Sequence, residues 1–217
     1  MSDDLFEIVR MFILVQKQRV AFNNRARTLE FDNPVIEQLA EFFQTTEESL
    51  EKSIKREIKH EPIYKEFFSK VKGIGPILAA KIMYYIRDIG RFPNVAKLWR
   101  YAGLAVINGK AETLQRGQKI SYRPEFKATM YVVGSSMLKA RSKYVEIYYA
   151  AKDYYARNRD WGKQHIHLAA MRKMEKLFLA HLWEVWRQLE GYPIRMPYAV
   201  EYLGHTTILT PEMFISA

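Results

Sequence analysis

Val71-Lys72-Gly73-Ile74-Gly75-Pro76-Ile77-Leu78-Ala79-Ala80-Lys81-Ile82 is the stretch on which the reading of this chain turns. Ahead of it, Ile63, Phe67, Phe68 and Val71 recur at helical spacing. Gly73 and Gly75 bracket one apolar residue, Ile74, in a bend where a side chain would clash or φ would turn positive. Pro76 suits the first position of a following helix, because its missing N–H is an orphan donor there anyway. Small Ala79 and Ala80 let that second helix pack close to the first. The pattern predicts a helix-hairpin-helix.

A glycine bend feeding a helix N-terminus leaves backbone N–H groups pointing outward with the helix dipole behind them. Such a concavity suits a phosphate and reads no base sequence. The expected backbone-binding residues are Lys72, Gly73, Ile74, Gly75, Pro76, Ala79 and Lys81. A tight αα-hairpin that binds nothing is the plainer alternative.

The charge distribution favours the first reading. Net charge is +10 over 217 residues, but residues 1–70 hold 11 Lys/Arg against 13 Asp/Glu, whereas residues 71–217 hold 23 against 11. The positive field begins at the hairpin, which points to a polyanionic partner. Hydrophobic content of 48% and aromatic content of 14% fit a folded protein. No apolar run approaches the ~20 residues of a membrane span, and the acidic start Met1-Ser2-Asp3-Asp4 suits neither a secretory signal nor a transit peptide. Without cysteine there is no disulfide, zinc finger or thiol chemistry. His165 and His167, two apart on a helix, form no metal pair. We expect no cofactor, no metal, no membrane, and a cytoplasmic, nucleoid-associated protein.

Leu5, Ile8, Phe12, Val15, Arg19, Phe22, Ala26 and Leu29 follow a heptad seam over a helix from Asp4 to about Leu29, opened by an Asp4/Glu7 capping box. Such a seam serves either a coiled-coil homodimer, through Leu5, Ile8, Phe12, Val15, Phe22 and Leu29, or packing onto the chain's own domain. Asn33-Pro34 opens a second helix, and Thr45 with Glu48 reads as the capping box of a third. After the hairpin, Gly90 suits a helix stop and Asn94 a helix cap closed by Gly103. Trp99 and Tyr101 read as core residues. Residues 104–124 are the least helical: Asn108-Gly109 is a two-residue hairpin turn, and Lys119 to Arg123 alternates with period two. Lys110, Arg116, Lys119 and Arg123 make this loop a candidate second backbone contact. Helices follow from Pro124, from Arg141 to about Arg159, and from Lys163 to Glu190, stopped by Gly191-Tyr192-Pro193. The expected fold is all-α with one short β-like hairpin. Its divisions are a helical arm at 1–62, a helix-hairpin-helix domain at 63–193 and a tail at 194–217.

With these pieces in place, the chain resembles the C-terminal half of the insertion-sequence transposases that join an N-terminal RuvC-like nuclease domain to a helix-hairpin-helix domain, the bridge-RNA recombinase type. The resemblance rests on Val71 to Ala80, on Arg91-Phe92 with Leu98 to Leu104, and on the helix start Gly162-Lys163 to Leu177. The arm resembles the coiled coil that links the two domains in that family. The family cuts with an acidic quartet in the nuclease domain, which has no counterpart in this sequence, and with a serine soon after its Gly-Leu motif. Here Gly103-Leu104 runs into Ala105-Val106-Ile107-Asn108-Gly109-Lys110-Ala111 without one. Ser121, Ser135 and Ser136 are the nearest hydroxyls, and the last two read as ordinary helix residues.

The resulting expectation is a homodimer that binds double-stranded DNA with little sequence preference and is catalytically inactive. The alternatives are a strand-transfer subunit of a split transposase, a coiled-coil assembly protein, and a binder of structured RNA.

Overall fold

The computed structural model describes residues 1–29, 33–107, 109–114, 116–117, 119–194 and 209–215. Among them the fold is all-α, with α1 (Asp3–Leu29), α2 (Pro34–Glu57), α3 (Pro62–Glu66), α4 (Pro76–Ile86), α5 (Val95–Tyr101), α6 (Pro124–Ala140), α7 (Val145–Asn158) and α8 (Lys163–Leu189). A single ribbon, β1 (Val106–Ile107) with β2 (Lys110–Ala111), interrupts the helices.

The arm is an antiparallel helical hairpin. Phe22 meets Phe43 at 6.1 Å between rings, Gln16 donates to Glu47 at 2.8 Å, and the Met1 amino group pairs with Glu61 at 3.2 Å, so one number falls as the other rises. Leu5, Val9 and Phe12, one turn apart, are buried with Ile54 and Ile58 in the same core as α4 and α8. Asn33 caps α2 through Val35 N–H at 2.9 Å, with Pro34 at the first position.

Two expected helix starts are different. The Ser2 hydroxyl, rather than Asp4, accepts from the Leu5 amide at 3.3 Å, and α1 begins one residue early. Thr45 opens no third helix: its hydroxyl bonds back to the Glu41 carbonyl at 2.9 Å, and α2 continues unbroken to Glu57. A threonine one turn past a free side of the ladder satisfies itself without ending the helix.

α8 is the central strut. Met174, Phe178 and Leu182 are fully buried along it, and Phe178 packs on Phe67 at 5.5 Å and on Tyr144 at 5.7 Å. Trp183 fixes the α4–α5 connection by donating to the Phe92 carbonyl at 2.7 Å. α4 ends on Arg87 at φ +56°, not on Gly90. Gly90 is small for another reason, because a Cβ there would lie 2.9 Å from the Tyr192 ring. Arg141, expected inside α7, takes a left-handed C-cap at the end of α6 (φ +53°), and α7 begins at Val145. Of the tail, Phe214 is buried against Tyr144 and His181; most of residues 194–217 lies outside the described residues.

Candidate nucleic-acid interface

The hairpin bend is built as its sequence suggests, but its two glycines have different duties. α3 is short because Phe67 leaves helical geometry (φ −130°, ψ −64°), and one 3₁₀ turn, Phe68–Lys70, leads into the bend. The Ile74 amide closes a turn onto the Val71 carbonyl at 3.1 Å, which turns Ile74 into the core. Gly73 sits at φ +97°, where a Cβ would lie 3.0 Å from both the Ala140 Cβ and the Ser136 carbonyl oxygen. The Ser136 hydroxyl donates to the Gly73 carbonyl at 2.6 Å. Gly73 is therefore required by the bend itself and by the close approach of α6.

Gly75 has no such internal reason. Its φ of −78° and ψ of 169° are open to any residue, and nothing lies within 4 Å of where its Cβ would be. It is exposed, as the N-cap of α4, with Pro76 next and no side chain capping the helix. The Ile77 and Leu78 amides are the orphan donors of the first turn, while Ala79 already bonds back to the Gly75 carbonyl at 3.0 Å. Ala79 and Ala80 are buried, letting α4 pack closely.

The cations around the bend are not those expected. Lys72 is exposed and has no ion pair among the described residues. Lys81 is a correction: it is turned inward beneath the arm, where its ammonium donates to Gln16 at 2.5 Å and lies 5.2 Å over the Phe12 ring. Burial lowers its pKa, opposed by the charge of Glu47. Glu47 gathers Gln16 and Arg19 from α1 as well, and although burial opposes its charge these partners hold its carboxyl below the usual range. Lys81 is half-buried on the side of α4 that faces α1, so its charge serves the arm joint. In its place the α6 end brings exposed Lys139, Arg141 and Lys143 beside the bend, since Ala140 is the residue touching Gly73.

The loop after α5 forms the two-residue hairpin at its start: Ile107 pairs with Lys110 and Val106 with Ala111, with Gly109 at φ +77°. Asn108 lies outside the described residues. Lys110, Arg116 and Lys119 are exposed. Residues 119–123 form no strand; Ser121 instead anchors the loop by donating its amide (2.7 Å) and its hydroxyl to the Glu112 carboxylate. Those bonds hold the Glu112 carboxyl below the usual range. Arg123 is half-buried, stacked 4.8 Å over Tyr85 and 3.7 Å from Glu125.

Residues 65–150 match the family described as Transposase IS116/IS110/IS902 family. The matched segment runs from the end of α3 through the bend, α4, α5, the β-loop and α6 into α7. No curated protein matches the chain. The matched segment thus contains the bend and the basic loop together, while the arm and the whole of α8 lie outside it.

Within and beside the matched segment, sequence reasoning missed a second group of cations. Lys127, half-buried, threads past Gly103 and donates to the Glu112 carbonyl at 2.7 Å. Lys176 lies 4.2 Å over Trp99, whose indole donates to the Lys176 carbonyl at 2.8 Å. Burial and then Arg172 lower the pKa of both lysines. Nothing in one-dimensional spacing unites residues 99, 127 and 172–176; only the packing of α5, α6 and α8 does.

The seam residues of the arm are used within the chain. Leu5 and Phe12 are buried there, and Ile8, Val15 and Phe22 are half-buried. The Leu29 side chain lies outside the described residues. Met11, Leu14 and Val20 on α1, with Val35, Leu39 and Phe42 on α2, form the exposed apolar surface of the arm. No helix among the described residues is long and apolar enough to cross a membrane.

Proposed function

We propose that this transposase-derived chain binds the backbone of double-stranded DNA with little sequence preference, through the bend at residues 72–79, and does not itself cut it. The observation that carries the reading is Gly75. It is a glycine with ordinary dihedrals and open space around it, at the uncapped start of a helix, so the molecule's own packing gives no reason for its lacking a side chain. A phosphate pressed against the Ile77 and Leu78 amides supplies one, because a Cβ at position 75 would stand in its way. Lys72 in the bend and Lys139, Arg141 and Lys143 at the α6 end that packs on Gly73 add positive charge, are exposed, and engage no carboxylate among the described residues. Lys110, Arg116, Lys119 and Arg123 on the loop add a second line of backbone contacts, Arg123 the least free of the four.

Fluorescence anisotropy with an unrelated pair of labelled duplexes tests this. Both should bind alike, and affinity should fall steeply between 50 and 200 mM salt, about a thousandfold or more if six phosphates are neutralised. A structured RNA in the same series separates DNA from RNA preference. Absence of duplex binding at low salt would reject the reading. A homodimer formed by the arm would use Val35, Leu39 and Phe42, since the seam residues Leu5 and Phe12 are enclosed; light scattering of a Leu39→Glu, Phe42→Glu variant tests it, a dimer predicted for the parent chain and a monomer for the variant.

One contact favours a second reading, strand transfer. The Ser121 hydroxyl donates to the Glu112 carboxylate, a hydroxyl–base pair of the kind an activated nucleophile needs, with Arg123 and Lys127 nearby in sequence. Incubating supercoiled plasmid with the protein and magnesium decides: relaxation or joining that vanishes in Ser121→Ala supports strand transfer, and an unchanged plasmid supports the binder.

A further inference from the structure

The connection between α7 and α8 carries an aromatic stack that runs from the edge of the core at Tyr155 out to an exposed ring at His165. The Trp161 and His165 rings lie face to face, 4.1 Å between centroids and 7° from parallel. Tyr155 also lies against Trp161, 5.3 Å between ring centroids and tilted by 40°. His165 is exposed, and Trp161 is its one aromatic neighbour among the described residues. The stack therefore ends in an open imidazole face, presented to solvent at the start of a 27-residue helix.

Its surroundings are cationic. Arg159 lies 5.7 Å over Trp161, and Arg159 and Lys163 are exposed without an ion pair among the described residues, whereas Arg157 is engaged by Asp153 at 2.9 Å. Residues 139–176 together hold ten Lys/Arg against four Asp/Glu, and one of those four, Glu175, is buried. On α7, Tyr149 and Tyr154 are 61% and 52% exposed, each meeting a neighbouring tyrosine only edge-on, Tyr148 at 5.2 Å and Tyr155 at 5.7 Å. Flat rings with a free face, set among unpaired cations, are the two parts that single-strand binders combine: bases stack on the rings while the backbone follows the charge.

We propose that the α7–α8 connection is a second nucleic-acid site, one that takes single-stranded nucleic acid by stacking an unpaired base on the open face of His165 and holding its flanking phosphates with Arg159 and Lys163. A duplex hides its base faces and cannot use this platform, so the site is separate in chemistry from the bend at residues 72–79 and does not depend on it. The remaining candidate role for the stack is structural, Trp161 acting as the apolar residue ahead of the helix cap that fixes how the chain enters α8.

The experiment uses the full chain with labelled oligo-dT and oligo-U of 15 nucleotides, neither of which forms a duplex, and reads both anisotropy and tryptophan emission. The parent protein should bind and its emission should be quenched, with the quench much reduced in Trp161→Phe. His165→Ala should weaken binding about tenfold, the loss of one stacked base, and Arg159→Ala with Lys163→Ala should weaken it further and flatten its salt dependence. Duplex affinity should stay within about twofold in all of them. Gly75→Val should leave oligo-dT binding intact, so that a failure of the bend appears in the duplex arm alone. Should the parent protein give no Trp161-dependent quench, or should His165→Ala bind oligo-dT and oligo-U unchanged, the proposal is overturned and the stack is structural. Because the quench is read on the parent fold, a variant that fails to fold does not shield the proposal.

Discussion

Ser136 on α6 donates its hydroxyl to the Gly73 carbonyl at 2.6 Å, so the bend that presents the α4 amides is fastened to a helix more than sixty residues further along the chain. The side of the bend facing α6 is a structural joint, and the side around Gly75 faces solvent. The two glycines should therefore answer differently to mutation. Gly73→Ala forces a left-handed alanine against the Ser136 carbonyl and should cost about 1–2 kcal/mol from backbone strain alone, more if α6 cannot yield. Gly75→Ala should leave stability within about 0.5 kcal/mol. Urea unfolding of both variants checks the pair.

Ser136→Ala leaves the Gly73 carbonyl without its partner and should cost about 1 kcal/mol. Lowered protection of the Ile74 amide, which closes the bend onto the Val71 carbonyl, with the rest of the core unchanged, is the expected signature in hydrogen exchange.

The two lysines expected to act together should separate. Lys72→Ala should leave thermal stability unchanged and reduce the steepness of duplex binding against salt by about one contact. Lys81→Met should leave duplex binding unchanged and loosen the arm, since the ammonium that serves Gln16 is gone. Equal losses of duplex affinity from both substitutions would contradict the inward placement of Lys81.

The Lys81 result marks the limit of what the amino-acid order conveys. The bend itself was legible because it is local: Ile74 inward, Gly73 at positive φ and Pro76 at the helix start all follow from neighbours in sequence. So were the Asn33 and Asn94 caps and the tight turn, with Gly109 at positive φ, that sets Ile107 opposite Lys110. Which way Lys81 faces depends on α1 crossing over α4, a contact between residues 65 apart. The same holds for Ser136, which reads as an ordinary helix residue until α6 is laid against the bend, and for the Trp99–Lys176 pairing. Thr45 misled for a different reason. A threonine followed by a glutamate three residues on is a helix start only where the preceding chain is not already helical, and there the hydroxyl found the Glu41 carbonyl instead.

Glu175 should make the protein less stable as pH rises. Burial pushes its carboxyl up to about 8, opposed only by Arg172, and its Oε1 is buried without a hydrogen-bond partner. Since the folded state holds this proton more tightly than the unfolded chain, the stabilisation is complete below the ordinary carboxylate range and is lost as pH rises towards 8. Glu175→Gln should flatten the fall in melting temperature between pH 6.5 and 8.

His181 should act in the opposite direction and at lower pH. Its Nε2–H donates to the Leu209 carbonyl at 2.8 Å, which leaves Nδ1 to accept from the Tyr144 hydroxyl at 2.8 Å. Burial lowers its pKa to about 4, with the Leu209 bond opposing, so the neutral ring belongs to the fold. Stability should be lost as pH falls from about 6.5 towards 4, so that above pH 6.5 the Glu175 effect stands alone. His181→Gln should move the acid transition to lower pH.

The central claim, that the open space at Gly75 is kept for a phosphate, is tested most directly by titrating a labelled duplex with the parent chain and with Gly75→Val at one low salt concentration, each protein's melting temperature being measured alongside. The account predicts a valine variant that melts with the parent yet binds the duplex at least tenfold more weakly. A variant that melts with the parent and binds the duplex equally well would contradict it.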